Sequence, residues 1–126
     1  MKVTPEEYFN TQDVSDLTHE QYCNAIRLLH VINLLRLEFG VPFKINSGYR
    51  SLAHNLRVGG SANSHHIYCR AIDIADPNGL IKGQLMANNN ELLIKYNLFM
   101  EDPSATKTWA HLQIVPPRSG ARIFMP

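Results

Sequence analysis

Apolar residues recur every three or four positions at Tyr22, Ala25, Ile26, Leu29, Ile32, Leu35 and Phe39. That spacing predicts one face of a helix of about five turns. Thr18 and Gln21 form a capping box in front of it, and Gly40 is a natural stop behind it. An earlier, shorter helix is expected from the cap Thr4 and the proline Pro5 to about Phe9. Beyond Gly40 the pattern changes. Phe43–Asn46 reads as a short strand and Ser47–Arg50 as a turn. Ser51 caps a short helix to Val58, closed by Gly59-Gly60, and Ser61–His66 is polar loop. Cys69–Ala75 alternates with a period of two and reads as a strand. The turn Asp76-Pro-Asn-Gly79 follows. A helix is expected over Gln84–Tyr96, weakened by Asn88–Asn90. Leu98–Glu101 and Trp109–Val115 read as a hairpin across a seven-residue loop, and an irregular tail opens at Pro116. Helices come first and mixed strands later, which predicts an α+β fold. It would be a small antiparallel or mixed sheet, helices packed on one face and the other face open.

At 126 residues the chain suits one domain, spanning 1–126. Hydrophobic residues make up 44% and charged residues 18%, an ordinary globular balance. A net charge of +1 and the lack of a lysine–arginine cluster argue against nucleic acid as a partner. No apolar run approaches membrane-spanning length. The first residues lack the apolar stretch of a signal peptide, so synthesis in the cytoplasm without one is expected. Nothing suggests an obligate oligomer, and a monomer is expected. Cys23 and Cys69 belong to no CxxC pair and are read as reduced and structural.

One acidic residue is out of place. Asp73 sits inside Arg70-Ala-Ile-Asp-Ile-Ala75, and a carboxylate in such a run needs a partner. An arginine such as Arg50 or Arg57 is one answer, and a metal ion is another. Alternation puts Ile72 and Ile74 on one face with Arg70, and Cys69, Ala71, Asp73 and Ala75 on the other. In the later strand, Ala110, Leu112 and Ile114 share a face opposite Trp109, His111, Gln113 and Val115. If both strands lie in one sheet with the aliphatic face toward the helices, Asp73 and His111 project together on the open side. His66 enters from the loop before the first strand. Two imidazoles, one carboxylate and a fourth position left for water suit catalytic zinc. Taken alone, a histidine such as His111 in an apolar strand is more often a satisfied core histidine.

The run Ser64-x-His66-x-x-Cys69-x-Ala71-x-Asp73 resembles the zinc D-alanyl-D-alanine carboxypeptidase family, which includes phage endolysins cutting L-alanyl-D-glutamate bonds. Ser47-Gly-Tyr-Arg-Ser51 before it, Asn55-Leu-Arg-Val-Gly-Gly60 between, and Trp109-Ala-His111 after it extend the likeness from about Phe43 to Val115. The resemblance implies one Zn2+ held by His66, Asp73 and His111. It implies Arg50 as the cation that steadies the developing oxyanion, and Ser64 as a residue lining the substrate cleft. It further implies hydrolysis of peptidoglycan peptides, by a phage-type lysin or virion-associated enzyme that reaches the cell wall after release or within a virion.

The chain departs from the family pattern twice. Cys69 stands at the motif's glycine, where its side chain would narrow the floor of the site, pack in the core, or offer a fourth ligand. Thr108 and Trp109 stand where relatives carry an acid or histidine as general base. Glu101 is the expected replacement, because the hairpin brings its end of the first strand toward His111; Asp102 is the next nearest acid. His65 is a lesser candidate, expected to point to solvent. A zinc-containing module that binds wall peptides or a protein without turnover is the alternative, and a metal-free structural protein the remaining one.

Overall fold

A computed structural model describes residues 2–126. Its element order is α1 (Pro5–Phe9), α2 (His19–Phe39), β1 (Ile45–Ser47), α3 (Leu52–Arg57), β2 (Ala71–Ala75), α4 (Leu80–Lys95), β3 (Phe99–Glu101), β4 (Trp109–Gln113) and β5 (Ile123–Phe124). The fold is α+β, with helices packed on an open mixed sheet.

Both long-range helix signals in the first forty residues appear where the caps put them. Thr4 and Glu7, then Thr18 and Gln21, form reciprocal capping boxes, and Gly40 ends α2 in the left-handed region. The buried stripe of α2 is Ala25, Leu28, Leu29, Ile32 and Leu35. Ile26, expected on that face, is 68% exposed and Leu28 takes its place. A helix turns 100° per residue, so a stripe centred on 25, 28, 32 and 35 leaves 26 pointing away.

The sheet has five strands in the order β1-β2-β4-β3-β5 among the described residues. β1–β2, β2–β4 and β4–β3 are antiparallel, and β3–β5 is parallel. Ile72, Ile74, Met100, Ala110 and Leu112 are fully buried and join Leu28, Ile32, Leu35, Leu85 and Leu93 of the helices in the core. The opposite pleat carries Asp73, His111 and Gln113.

Three expectations needed correction. The helix expected from Gln84 starts at Leu80. The Asp76 carboxylate accepts the Ile81 and Lys82 backbone N–H groups (3.0 and 2.9 Å), so the turn itself nucleates the helix. The same helix is broken, not merely weakened, at its asparagines: Asn88, Asn89 and Asn90 all have φ between 53° and 63°. Asparagine tolerates that region better than other non-glycine residues. The tail after Pro116, expected to be irregular, contributes β5, which registers Met100 with Ile123 and Glu101 with Phe124.

A smaller correction has chemical weight. β2 begins at Ala71, because Cys69 adopts φ +58° in the turn before it. Cys69 therefore shares no strand face with Asp73. Its thiol is buried in the core near the Tyr8 hydroxyl, and burial pushes it up to about 12.

Candidate metal centre

Strand register assembles the site. Asp73 on β2 pairs with Ser47 on β1 and with His111 on β4. β3 pairs Phe99 with Gln113 and Met100 with Leu112, and continuing that register by one residue sets Glu101 opposite His111. β5 then pairs Phe124 with Glu101. Ser47, Asp73, His111, Glu101 and Phe124 thus form one row across all five strands. His66 is added from the loop, which Ser64 shapes by accepting the His66 backbone N–H at its Oγ (3.3 Å).

Within the row, Asp73 Oδ1 lies 2.9 Å from His111 Nδ1, and Asp73 Oδ2 lies 3.3 Å from His66 Nε2. All three side chains are buried, and their ligand-capable atoms lie within 4.8 Å of one another. A tetrahedral zinc with bonds of about 2.0–2.1 Å spaces its ligands by about 3.4 Å, so the cluster fits such an ion. Burial alone would push the Asp73 carboxyl up. Hydrogen bonds from His111 and His66, and their charge, outweigh it and hold the group well below the usual carboxylate range. Burial likewise depresses the His111 imidazole, but the hydrogen bond to Asp73, its charge and that of Glu101 raise it above its ordinary value. A metal at this position replaces that proton.

The surroundings decide which ring nitrogens would be available to an ion. His66 Nδ1 lies 2.8 Å from the Gly48 carbonyl, which can only accept, so Nδ1 carries a proton and Nε2, which faces Asp73, is the nitrogen a metal would take. For His111 the relation is inverted. Gln113 donates from Nε2 to the Val115 carbonyl (2.9 Å), which turns its Oε1 toward His111 Nε2, also at 2.9 Å. That oxygen accepts a hydrogen bond from the Nε2–H and leaves Nδ1 as the nitrogen a metal would take. Both are supports from outside the ligand set of the kind that orient metal-binding histidines.

Arg50 is held on every nitrogen: Nε donates to Ser47 Oγ (2.9 Å), one terminal NH2 to Asn55 Oδ1 (3.1 Å), the other to Asp73 Oδ2 (3.3 Å). It therefore neutralises Asp73 in part, as one sequence reading allowed, while two of its five N–H groups stay free for a ligand. Arg57 has no part in this; it lies beside a separate hollow with Asp13 and Asp16. Glu101 Oε1 lies 3.8 Å from His111 Nε2. Asp102 turns away and accepts from Ser104. His65, expected to face solvent, is half-buried on the cleft wall with its Nδ1 enclosed and unpartnered among the described residues.

These residues line a cleft of roughly 500 Å3, within the range of small-ligand sites. Several of its parts escaped the sequence reading. Gln113 was placed on the correct face but given no role. Asn55, fully buried, links Arg50 to the Ser61 carbonyl (2.6 Å) and had only its neighbourhood noted. Gly48 is legible only as part of a turn motif, and Phe124 carries no signal in the sequence.

The sequence model of the family described as Peptidase M15 matches residues 2–92, more than half of the chain, and includes His66 and Asp73. No curated protein matches the chain in sequence.

Proposed function

The chain belongs to the M15 family of zinc peptidases, and from that premise we propose that it hydrolyses a peptide bond in the stem or cross-link of bacterial peptidoglycan, as a phage-type lysin or virion-associated enzyme. The observation that carries this reading is the buried His66–Asp73–His111 cluster with a free-standing carboxylate, Glu101, 3.8 Å from one of its histidines.

Zinc bound there would supply Lewis acidity, lowering the pKa of a coordinated water to about 7 and polarising the scissile carbonyl. The chain's own residues supply the rest. Glu101, whose carboxylate lines the cleft 3.8 Å from His111 Nε2, takes a proton from water in this reading and returns it to the leaving amine. The two free N–H groups of Arg50 are available to the substrate carbonyl oxygen as charge develops on it. One fixed donor of this kind contributes on the order of 3–4 kcal/mol to the barrier. Ser64 Oγ accepts locally and keeps its own proton to donate to a peptide carbonyl.

Purified protein is expected to hold one equivalent of zinc and to release peptide fragments from purified cell walls. Glu101→Gln should keep the zinc and lose at least a hundredfold in turnover. Intact walls after incubation with fully zinc-loaded protein would sink the peptidase reading in favour of a binding module. Turnover unchanged in Glu101→Gln would strip that residue of its role. Mass spectrometry of the fragments identifies the bond.

A further inference from the structure

The cleft is chemically lopsided along the row of side chains that crosses the sheet. Its β1 end is polar: Arg50, with Ser64 and Asn63 on the adjoining loop. Apolar side chains line the rest of it: Phe124 and Met125 at the β5 end, and Trp109 at the start of β4. Phe124 has no structural duty that accounts for it. Its neighbour Ile123 packs on the core, whereas Phe124 lies outside the core cluster and is partly buried on the cleft side. It stands edge-on to His111, with ring centroids 6.4 Å apart at 83°. Its register partner is Glu101.

Resting on the peptidase reading above, we propose that Phe124, Trp109 and Met125 form an apolar subsite for one side chain flanking the scissile bond. A peptide lying across the row would place its polar groups at the Arg50 end. An uncharged aliphatic or aromatic side chain would then meet the Phe124 end. Apolar contact removes that side chain and the exposed ring from water together. An acidic side chain is disfavoured at the same place, because the Glu101 carboxylate is the register neighbour of Phe124. The preference is therefore set by a strand that follows the zinc ligands in the chain and belongs to none of their motifs.

Trp109 is the chain's only tryptophan, so its fluorescence reports occupancy of this subsite whether or not turnover occurs. The probes are blocked dipeptides with glycine, alanine, leucine, phenylalanine or glutamate at each position in turn, titrated into zinc-loaded protein. At one of the two positions, leucine and phenylalanine should bind roughly tenfold or more better than glycine or glutamate. Phe124→Ala should bring that ratio to within about threefold, and Phe124→Leu should retain most of it. Zinc content should stay at one equivalent in both variants. The proposal is overturned if the wild type shows no apolar preference, if Phe124→Ala leaves the preference intact, or if it weakens all peptides equally, glycine included. An apolar preference without wall hydrolysis would remove the peptidase reading and leave the subsite. Wall hydrolysis with a preference insensitive to Phe124 would do the reverse.

Discussion

Cys69 stands where the family motif has glycine, and its backbone gives the reason glycine suits the position. At φ +58° an L side chain is strained by roughly 1–2 kcal/mol, a cost glycine lacks. Here the side chain is buried beside Tyr8, which offsets the strain. The thiol is thereby inert. Iodoacetamide at pH 7 should modify the exposed Cys23 alone, with Cys69 reacting only after denaturation, as peptide mass spectrometry will report. The same burial links Cys69 to pH. In the unfolded chain the thiol ionises near about 8.5, whereas in the folded chain it stays protonated up to about 12. Below the first value both states hold the proton and nothing changes. Above it only the unfolded state releases the proton, so stability falls as pH rises through that window. Urea midpoints at pH 7.5 and 9.5 should show a smaller decline in Cys69→Ala than in the wild type.

At the scale of elements, the site depends on close backbone contacts that no side-chain pattern records. A Cβ on Gly48 would lie 2.1 Å from the Tyr8 carbonyl, so α1 and the end of β1 meet only because that residue is glycine. The Gly48 carbonyl in turn fixes the His66 ring. Gly48→Ala should destabilise the protein by about 1–3 kcal/mol and weaken zinc binding tenfold or more through the lost orientation. Gly83→Ala is the control. It lies in the regular part of α4 with open space around its Cβ, and should stabilise by about 0.5–1 kcal/mol. Chemical denaturation and chelator competition separate the two effects. A comparable tie holds the β3–β4 loop. Buried Lys82 donates to the carbonyls of Thr106, Lys107 and Trp109 with Asp76 Oδ2 3.9 Å away, so α4 sets where the His111 strand begins.

For the molecule as a whole, the His66–Asp73–His111 cluster joins a loop and two strands that are far apart in sequence. Zinc at a thousand times its dissociation constant should add about 4 kcal/mol to stability, which for this chain length raises the melting temperature by roughly 10–20 °C. Chelation should reverse the shift, and His66→Ala should abolish it in a thermal melt. Among the described residues no helix is long and apolar enough to cross a membrane.

Periodicity and caps in the sequence determined α1, α2 and α3, the hairpin of β3 and β4, and the sides of β2 and β4 that carry Asp73 and His111. These are local properties: a cap contacts residues three positions away, and a strand alternates whatever its partner. Tertiary structure decided what depends on distant segments meeting. It chose Arg50 over Arg57 as the partner of Asp73 and brought the Gly48 carbonyl to the His66 ring. It turned Cys69 into the core through one left-handed residue. It also added β5, whose two residues are too short for any periodic signal and become a strand only because the edge of β3 is there to pair with them.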